Sequence, residues 1–266
     1  MLSKYWGFRA DCMHYSFQAK ALRRMGSVEQ SRAWSVSDDS LKRYVLHASE
    51  SCVQDLLISA TATGGDSKAE GWKVLGVGED EIEISRRWSG AIPMLRGRRI
   101  LRGTSPSQFQ AVASAIDTAK QWDPNLAEGR YIKDLHENLS IIRLRFSESS
   151  KPLFKNREFI VYERREAMED GTLVVAVASL PNEIAKGLLP KSRGKFVRGL
   201  LIQSGWVIES LEQNNSCMVT HVVQLDPAGW LPKWVVKRLS IRLVMIIDGL
   251  SKLVDHSISN DFHPSK

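Results

Sequence analysis

The stretch DPAGWLPKWVVKRLSIRLVMIIDGLSKLV, at residues 226–254, decides the fold. Its first four residues have turn composition, because proline fixes φ and glycine tolerates a positive φ. Pro232 stands where a helix can begin, since the first helical N–H needs no partner. This pattern predicts a long amphipathic helix that covers either a solid apolar core or an apolar space. Its apolar stripe recurs every three or four residues and contains Val235, Leu239, Leu243, Ile246, Leu250 and Leu253.

The composition is that of an ordinary globular chain. Its 266 residues are 43% hydrophobic and 25% charged, which is enough for a substantial core. No apolar run approaches the roughly 18 residues that a membrane span needs. The formal net charge of +7 permits contact with phosphates of nucleic acid or of an anionic membrane, without distinguishing them. Reduced thiols in a cytosol-like compartment are expected, because only three widely spaced cysteines occur: Cys12, Cys52 and Cys217.

Residues 1–36 form a basic extension, in which six lysines and arginines accompany only two acids, Asp11 and Glu29. A basic, acid-poor segment with several serines is typical of an organelle transit peptide. A disordered or loosely helical tail explains the same composition, so both alternatives stay open. We expect the folded domain to occupy residues 37–256 and a polar tail to follow at residues 257–266.

One helix, several strands and short helices precede the long final helix. Asp38 and Asp39 after Ser37 are a helix-start signal, and apolar spacing extends that helix to about Ser59. Residues 81–88 alternate apolar and polar side chains, as a half-buried strand does. This order predicts an α+β architecture, with an antiparallel sheet and a terminal helix packed on it. The other strand candidates are residues 72–77, 98–103, 142–146, 158–165, 172–179, 196–211 and 217–225.

Two small residues bear on what lies beneath the final helix. Ala176 and Ala178 fall on one face of the strand at 172–179, and we expect that face to lie under the C-terminal helix. Small side chains in that position are compatible with a cavity and equally with close packing.

Catalytic and metal-binding motifs are absent from the sequence. It has no Gly-x-Ser-x-Gly, His-Glu-x-x-His or CxxC pattern. The six histidines are scattered, so no spacing indicates a metal site. We expect no catalytic residue, metal or cofactor. Stacking of nucleic-acid bases on the eight tryptophans is not expected either, because these occupy positions predicted to be buried.

Four segments resemble the START domain (steroidogenic acute regulatory protein-related lipid transfer) family, in the family's order and spacing. The last segment is the most specific, because Asp-Pro-x-Gly-x-Leu-Pro-x-Trp opening a final helix is that family's usual signature. The motifs are most similar to those of phosphatidylcholine-transfer-like members. The four segments are KQWD at 120–123, KNREFIVYERRE at 155–166, FVRGLLIQSGWVIES at 196–210, and VTHVVQLDPAGWLPKWVVKRL at 219–239.

The resemblance implies a helix-grip fold, in which a curved antiparallel sheet wraps around the long C-terminal helix. It also implies a protein that encloses one lipid in a hydrophobic tunnel and moves it between membranes without catalysis. Such a protein is expected in the cytoplasm and peripherally at membranes, or in an organelle if residues 1–36 target it there. The alternatives are a lipid-sensing regulatory interaction protein and a cyclase-type enzyme of the wider helix-grip superfamily.

The lipid is not identified by the resemblance. Ala119 stands where the phosphatidylcholine-transfer member has an arginine that contacts the phosphate. Glu163 and Leu144 stand where cholesterol-binding members have an arginine and its glutamate partner. Neither pattern is present, so the ligand is expected to be a phospholipid or a sterol-like molecule.

Several residues are candidates for contact with the ligand. Arg157 and Glu158 match the family's Arg-Asp pair, which either fixes the strand entry or touches lipid. Trp122 either fills the tunnel wall or touches lipid, and Asp123 either bonds to nearby backbone or contacts a headgroup. His221 is either a polar anchor in the tunnel or a core histidine. The predicted lipid-binding residues are Trp122, Asp123, Arg157, His221, Leu231, Trp234, Val235, Leu239, Leu243 and Ile246.

Residues 181–198 combine leucines with basic side chains and correspond to the loop that gates the tunnel beside the final helix in the family. Basic residues around exposed leucines suit an anionic membrane surface, at about 1 kcal/mol per basic residue. The alternative is a solvated charged loop. Ile241 and Met245, off the main helical stripe, are expected to contact acyl chains of the bilayer. The predicted membrane-docking residues are Ile184, Lys186, Leu188, Leu189, Lys191 and Arg193.

Overall fold

The fold is described from a computed structural model. It describes residues 37–61, 71–77, 81–114, 116, 119–123, 126–147, 156–189, 196–211, 215–229, 241–242 and 244–261. In chain order the elements are α1 (Asp38–Thr61), β1 (Lys73–Val77), β2 (Glu83–Ser89), β3 (Ile92–Leu101), α2 (Pro106–Ala113), α3 (Ala119–Trp122), β4 (Leu126–His136), β5 (Leu139–Phe146), β6 (Asn156–Ala167), β7 (Leu173–Ser179), α4 (Asn182–Leu188), β8 (Phe196–Arg198), β9 (Leu200–Leu211), β10 (Ser216–Asp226) and α5 (Ile246–Asp261).

The strands form one sheet in the order β1-β2-β3-β10-β9-β7-β6-β5-β4, and all neighbours along this path are antiparallel. The short strand β8 lies off this path and pairs in parallel with the start of β6. Helix α1 packs on one face of the sheet, and α2 and α5 pack together on the other. The predicted α+β class is therefore confirmed.

Successive residues of the central strands serve opposite faces of the sheet, as strand geometry requires. On β7, Ala176 and Ala178 belong to the core beneath α1, whereas Val175 and Val177 point to the opposite face. The expectation that Ala176 and Ala178 lie under the C-terminal helix is therefore wrong. Period-2 alternation places them on one face, but it does not say which helix covers that face.

Close approach of α1 to the sheet explains the small residues. Gly205 on β9 pairs with Ala176, and its φ is +153°. A Cβ at Gly205 would lie 2.1 Å from the Val175 carbonyl oxygen and 2.6 Å from a methyl carbon of Leu56 on α1. The missing side chain therefore lets Leu56, which is fully buried, reach the sheet backbone.

The C-terminal end of α1 is held by arginines of β3. The last carbonyls of a helix have no partner within the helix. Arg96, which is only 2% exposed, donates to the Ser59 carbonyl at 3.2 Å, and Arg98 donates to that of Ala60. The Arg96 guanidinium also stacks on the Trp72 ring, 4.4 Å from its centroid. Cations at this end of a helix also complement its dipole.

Three strands differ from the sequence prediction. Strand β3 begins at Ile92, earlier than expected, because a turn at 90–91 closes the β2–β3 hairpin. Strand β4 was not predicted, since its sequence lacks clean alternation and its register with β5 shifts three times. The strand predicted at 196–211 is two strands that separate at Gly199, whose N–H donates to the Glu158 carbonyl.

Helix α5 ends later than predicted. It runs to Asp261 and so extends into residues 257–261, the first part of the predicted polar tail. Residues 241–242 and 244 are also helical, whereas the predicted helix start at Pro232 lies outside the described residues, as do residues 1–36. Of the predicted apolar stripe, Leu250 is fully buried, as are Ile247 and Val254 beside it.

Substitution of Gly205 by alanine tests the close contact between α1 and the sheet. We expect a loss of roughly 3 kcal/mol or more in the free energy of unfolding, because the Cβ meets backbone as well as Leu56. The matched control is Gly90→Ala, at φ +68° with no atom within 4 Å, which should cost only about 1–2 kcal/mol. Urea titration followed by circular dichroism measures both values. Equal losses in the two variants would contradict the packing argument.

Candidate functional site

A cavity of about 470 Å³ lies on the sheet face opposite α1. This volume is within the roughly 300–1,000 Å³ that small-molecule sites occupy. Strands β5, β6, β7, β9 and β10 form its wall, mainly through alternate residues, and α2 and residues around the start of α5 close it from the other side. Its apolar wall includes Ala113, Ile116, Ile142, Leu144, Phe146, Phe159, Val161, Val175, Val177, Leu201, Trp206, Val223, Leu225, Ile241, Met245 and Ile246.

The cavity fills only part of the space under the helices. At one end, α5 packs solidly on the sheet through Ile247, Leu250 and Val254, which share a core cluster with Phe109 and Ile208. The cavity lies toward the other end, where β5 and the first half of β6 form the wall. The C-terminal helix is therefore partly a core helix and partly the boundary of an apolar space.

Arg157 joins the cavity wall to the turn before the C-terminal helix. Its Nε donates to the Pro227 carbonyl at 2.7 Å, and its Nη2 donates to the Ala228 carbonyl at 3.3 Å. The carboxylate of Asp226 accepts from the Ala228 N–H in the same turn. Burial lowers the pKa of Arg157 below its ordinary value. Arg157 therefore fixes the turn after β10 and also lines the cavity, whereas the sequence alternatives were a role at the strand entry and a contact with lipid.

Glu158, the neighbour of Arg157, points away from the cavity into an ion-pair network. It accepts from Arg145 at 3.1 Å and from Arg198 at 2.8 Å, and Arg145 also pairs with Glu128. Burial alone would raise the pKa of Glu158, but the hydrogen bonds and charges of Arg198 and Arg145 outweigh it and lower this pKa. This network connects β8, β6, β5 and β4 on the sheet face opposite the cavity.

Asp123 and His221 both line the cavity and are each 5% exposed. The backbone of Asp123 follows α3, with its N–H donating to the Ala119 carbonyl at 2.9 Å. The His221 ring stacks on Trp206, with 3.7 Å between centroids and 9° between planes. Phe109 meets the same Trp206 ring edge-on at 5.4 Å. His221 is thus a packed residue of the cavity wall.

Glu163 is an acid on the cavity face of β6, and its neighbour on β5 is Ser140, whose hydroxyl donates to the Asp134 carboxylate at 2.8 Å. Glu163 follows Val161 on the inward face of β6 and pairs across strands with Val177. Its side chain is 11% exposed, and burial raises its pKa to about 7, against a smaller opposing effect of the Arg165 charge. The sequence reasoning noted Glu163 only as a departure from a family pattern. Alternation from Arg157 through Phe159 and Val161 would have placed it on the cavity face.

Only some of the other predicted lipid-binding residues lie in the part of the chain that the structure describes. Ile246 lines the cavity, and the backbone of Trp122 ends α3, but nothing is described of the Trp122 side chain. Ile241 and Met245 also line the cavity, so the expectation that they contact the bilayer is wrong. The predicted residues outside the described ranges are Leu231, Trp234, Val235, Leu239 and Leu243.

The predicted membrane-docking segment is described only as far as Leu189. Ile184, Leu188 and Leu189 are half-buried against the core on the α1 side of the sheet, and Lys186 is exposed. The apolar side chains of α4 therefore pack inward and on the face opposite the cavity. Lys191 and Arg193 lie outside the described residues.

Two further observations concern only the described part of the chain. It contains no helix that is long and apolar enough to cross a membrane. Nor does it hold a group of three or more histidine, cysteine, aspartate or glutamate side chains placed to bind a metal ion.

Substitution of Glu163 by glutamine tests the buried acid. A carboxyl whose pKa is raised on folding binds a proton more tightly in the folded protein, so it costs stability as pH rises from the unfolded pKa to the folded one. Between pH 5.5 and 8.5, the stability advantage of Glu163→Gln over the wild type should grow by about 2 kcal/mol. Urea titrations at the two pH values measure it, with Glu166→Gln on the opposite face as control. A difference that does not change with pH would contradict the burial of an acid at this position.

The sequence of this chain is similar to those of known proteins of one family. A model of the START domain matches residues 53–256. START domain-containing protein 10 of Mus musculus and of Homo sapiens is 33% identical over 125 residues, which are 47% of this chain and 40% of each relative. The chain thus spans about two fifths of the length of these curated relatives.

Two solved structures share the fold. Human StAR-related lipid transfer protein 5 has a TM-score of 0.67 at 22% identity and covers 81% of this chain and 98% of its own. Human STARD10 has a TM-score of 0.64 at 21% identity and covers 76% and 78%. These likenesses agree with the sheet and C-terminal helix described above. Because the family model matches most of its length, the chain belongs to the START domain family.

Proposed function

We propose that this chain encloses one lipid or sterol-like ligand in its cavity and carries it between membranes without catalysis. The observation that carries this proposal is the cavity of about 470 Å³, whose wall is mainly apolar, in a chain of the START domain family. The name of one structural neighbour, human StAR-related lipid transfer protein 5, points in the same direction.

The physical reason for such a carrier is the cost of exposing a hydrocarbon chain to water. Each methylene costs about 0.8 kcal/mol, so a lipid with a chain of about sixteen carbons leaves a membrane only slowly without help. A cavity lined by valine, leucine, isoleucine and phenylalanine removes most of this cost.

The distribution of polar groups supports binding over catalysis. Glu163 on β6 and His221 on β10 are separated by β7 and β9, so their backbone positions are roughly 14 Å apart along the sheet. Acid–base catalysis needs groups within about 2.6–3.2 Å of the same reacting atoms. Polar groups spread over the wall suit contacts with separate parts of one bound molecule.

Filling the cavity tests the proposal. Val177→Trp places a large side chain in the space, whereas Ile202→Trp adds the same side chain at an exposed position of β9. We expect Val177→Trp to lower co-purified lipid, measured by native mass spectrometry, and transfer between liposomes by at least about tenfold. Thermal unfolding should show that both variants are folded.

Wild-type protein with neither bound lipid nor transfer activity would overturn the proposal. Transfer that persists unchanged in Val177→Trp would show that the cavity is not the site.

We also propose that the carrier makes transient contact with an anionic membrane through the basic residues at 186–193. Reversing the charges of Lys186, Lys191 and Arg193 to glutamate should weaken binding to phosphatidylserine-containing vesicles by at least about 100-fold, at about 1 kcal/mol per basic residue lost. The matched control reverses three exposed basic residues elsewhere, Lys42, Arg43 and Lys73. Equal weakening by both sets in a vesicle sedimentation assay would reduce the effect to net charge and refute docking by this segment.

A further inference from the structure

The position of Glu163 makes it different from the other acids of β6. Its side chain faces the cavity between Val161 and Val177, whereas Glu158 and Glu166 belong to the opposite face. On that face, Glu158 accepts from two arginines, and Glu166 accepts from Arg164 at 2.8 Å. An acid on the apolar inner face therefore calls for a separate explanation.

The hydrogen-bonding of Glu163 is incomplete within the protein. Its Oε1 lies 3.6 Å from Arg165 Nε, which is beyond the roughly 2.7–2.9 Å of a charge-assisted hydrogen bond. No donor among the described residues reaches this buried oxygen, and Arg165 Nε is likewise buried with no acceptor among them. A buried acceptor without a donor costs about the full desolvation of that group. A donor brought by a ligand would recover this energy.

We propose that Glu163 selects a lipid whose polar group donates a hydrogen bond at this point of the cavity, such as an amine or a hydroxyl, and rejects a lipid with an anionic group there. This inference rests on the proposed lipid-carrier function and names the ligand chemistry that the site accepts. The carboxylate of Glu163 repels a phosphate or carboxylate group, whereas it accepts from a hydroxyl and attracts an ammonium group.

The other charged or titratable groups that line the cavity belong to other parts of its wall. Arg157 is six residues away on the same strand, roughly 20 Å along β6, and it donates to the turn carbonyls. His221 lies three strands away and stacks on Trp206. Asp123 and Arg242 enter the cavity from the α3 segment and from the segment before α5. Arg165 is the cation that lies next to Glu163 along β6, and its side chain is 34% exposed.

Four lipids with one common chain test this selection: oleylamine, oleyl alcohol, oleyl methyl ether and oleic acid. Each displaces a pyrene-labelled hydrocarbon from the delipidated full chain at pH 8, where a group of pKa about 7 is mostly ionised. The wild type should bind the amine about 10- to 100-fold more tightly than the ether, with the alcohol between them and the acid weakest.

Two substitutions at Glu163 and one control test whether Glu163 causes the preference among the four lipids. Glu163→Gln should abolish the advantage of the amine over the alcohol, and Glu163→Leu should bring all four lipids within about twofold. Glu166→Gln, on the opposite face of β6, should leave the wild-type order unchanged. Circular dichroism confirms that each variant is folded.

The outcomes separate this inference from the function on which it rests. If the wild type binds all four lipids equally, or if Glu163→Leu keeps the preference, selection by Glu163 is wrong while lipid binding stands. If none of the four lipids displaces the probe, selection by Glu163 is wrong, and the carrier function is overturned as well only if the wild type has neither co-purified lipid nor transfer activity.

Discussion

Alternation of side chains in the central strands is the constraint on which the rest of this structure depends. Successive side chains of β6, β7, β9 and β10 point alternately to the core beneath α1 and to the opposite face. The α1 side is closely packed, because Ala176 and Gly205 leave room for Leu56 to reach the backbone. The opposite side carries valine and aromatic side chains that α5 covers only in part. The cavity is what remains of that second face.

Acidic side chains on the two faces of the sheet also differ in their partners and in their pKa. On the face opposite the cavity, Glu158 is paired with two arginines, and this pairing lowers its pKa in spite of burial. On the inner face, Glu163 is buried with one arginine at 3.6 Å, and its pKa rises to about 7. A protein selected for stability alone has no reason to keep an acid in that position, whereas a binding site does. The contrast within one strand separates the structural acid from the candidate for ligand contact.

The sequence could predict the architecture because its strongest signals are local. The turn at 226–229, the apolar stripe beyond it and the alternating strands follow from backbone geometry and burial within short windows. Strand β4 could not be predicted in the same way, because its irregular register is set by its partner β5. The faces of Ala176 and Met245 were also assigned wrongly. Local periodicity groups residues by face, but only the long-range packing of α1 and α5 decides what each face meets.

Three residues depart from the headgroup-binding patterns of similar proteins, and the structure shows where these residues lie. Ala119, Leu144 and Glu163 were noted in the sequence because they replace residues with which similar proteins hold their lipids. In the structure all three line the cavity, on α3, β5 and β6. An alanine and a leucine add apolar wall, and a glutamate places a negative charge where a positive one is the pattern. Because all three residues line one cavity, they bear on the ligand selection proposed above, whereas the fold around that cavity is still that of the family.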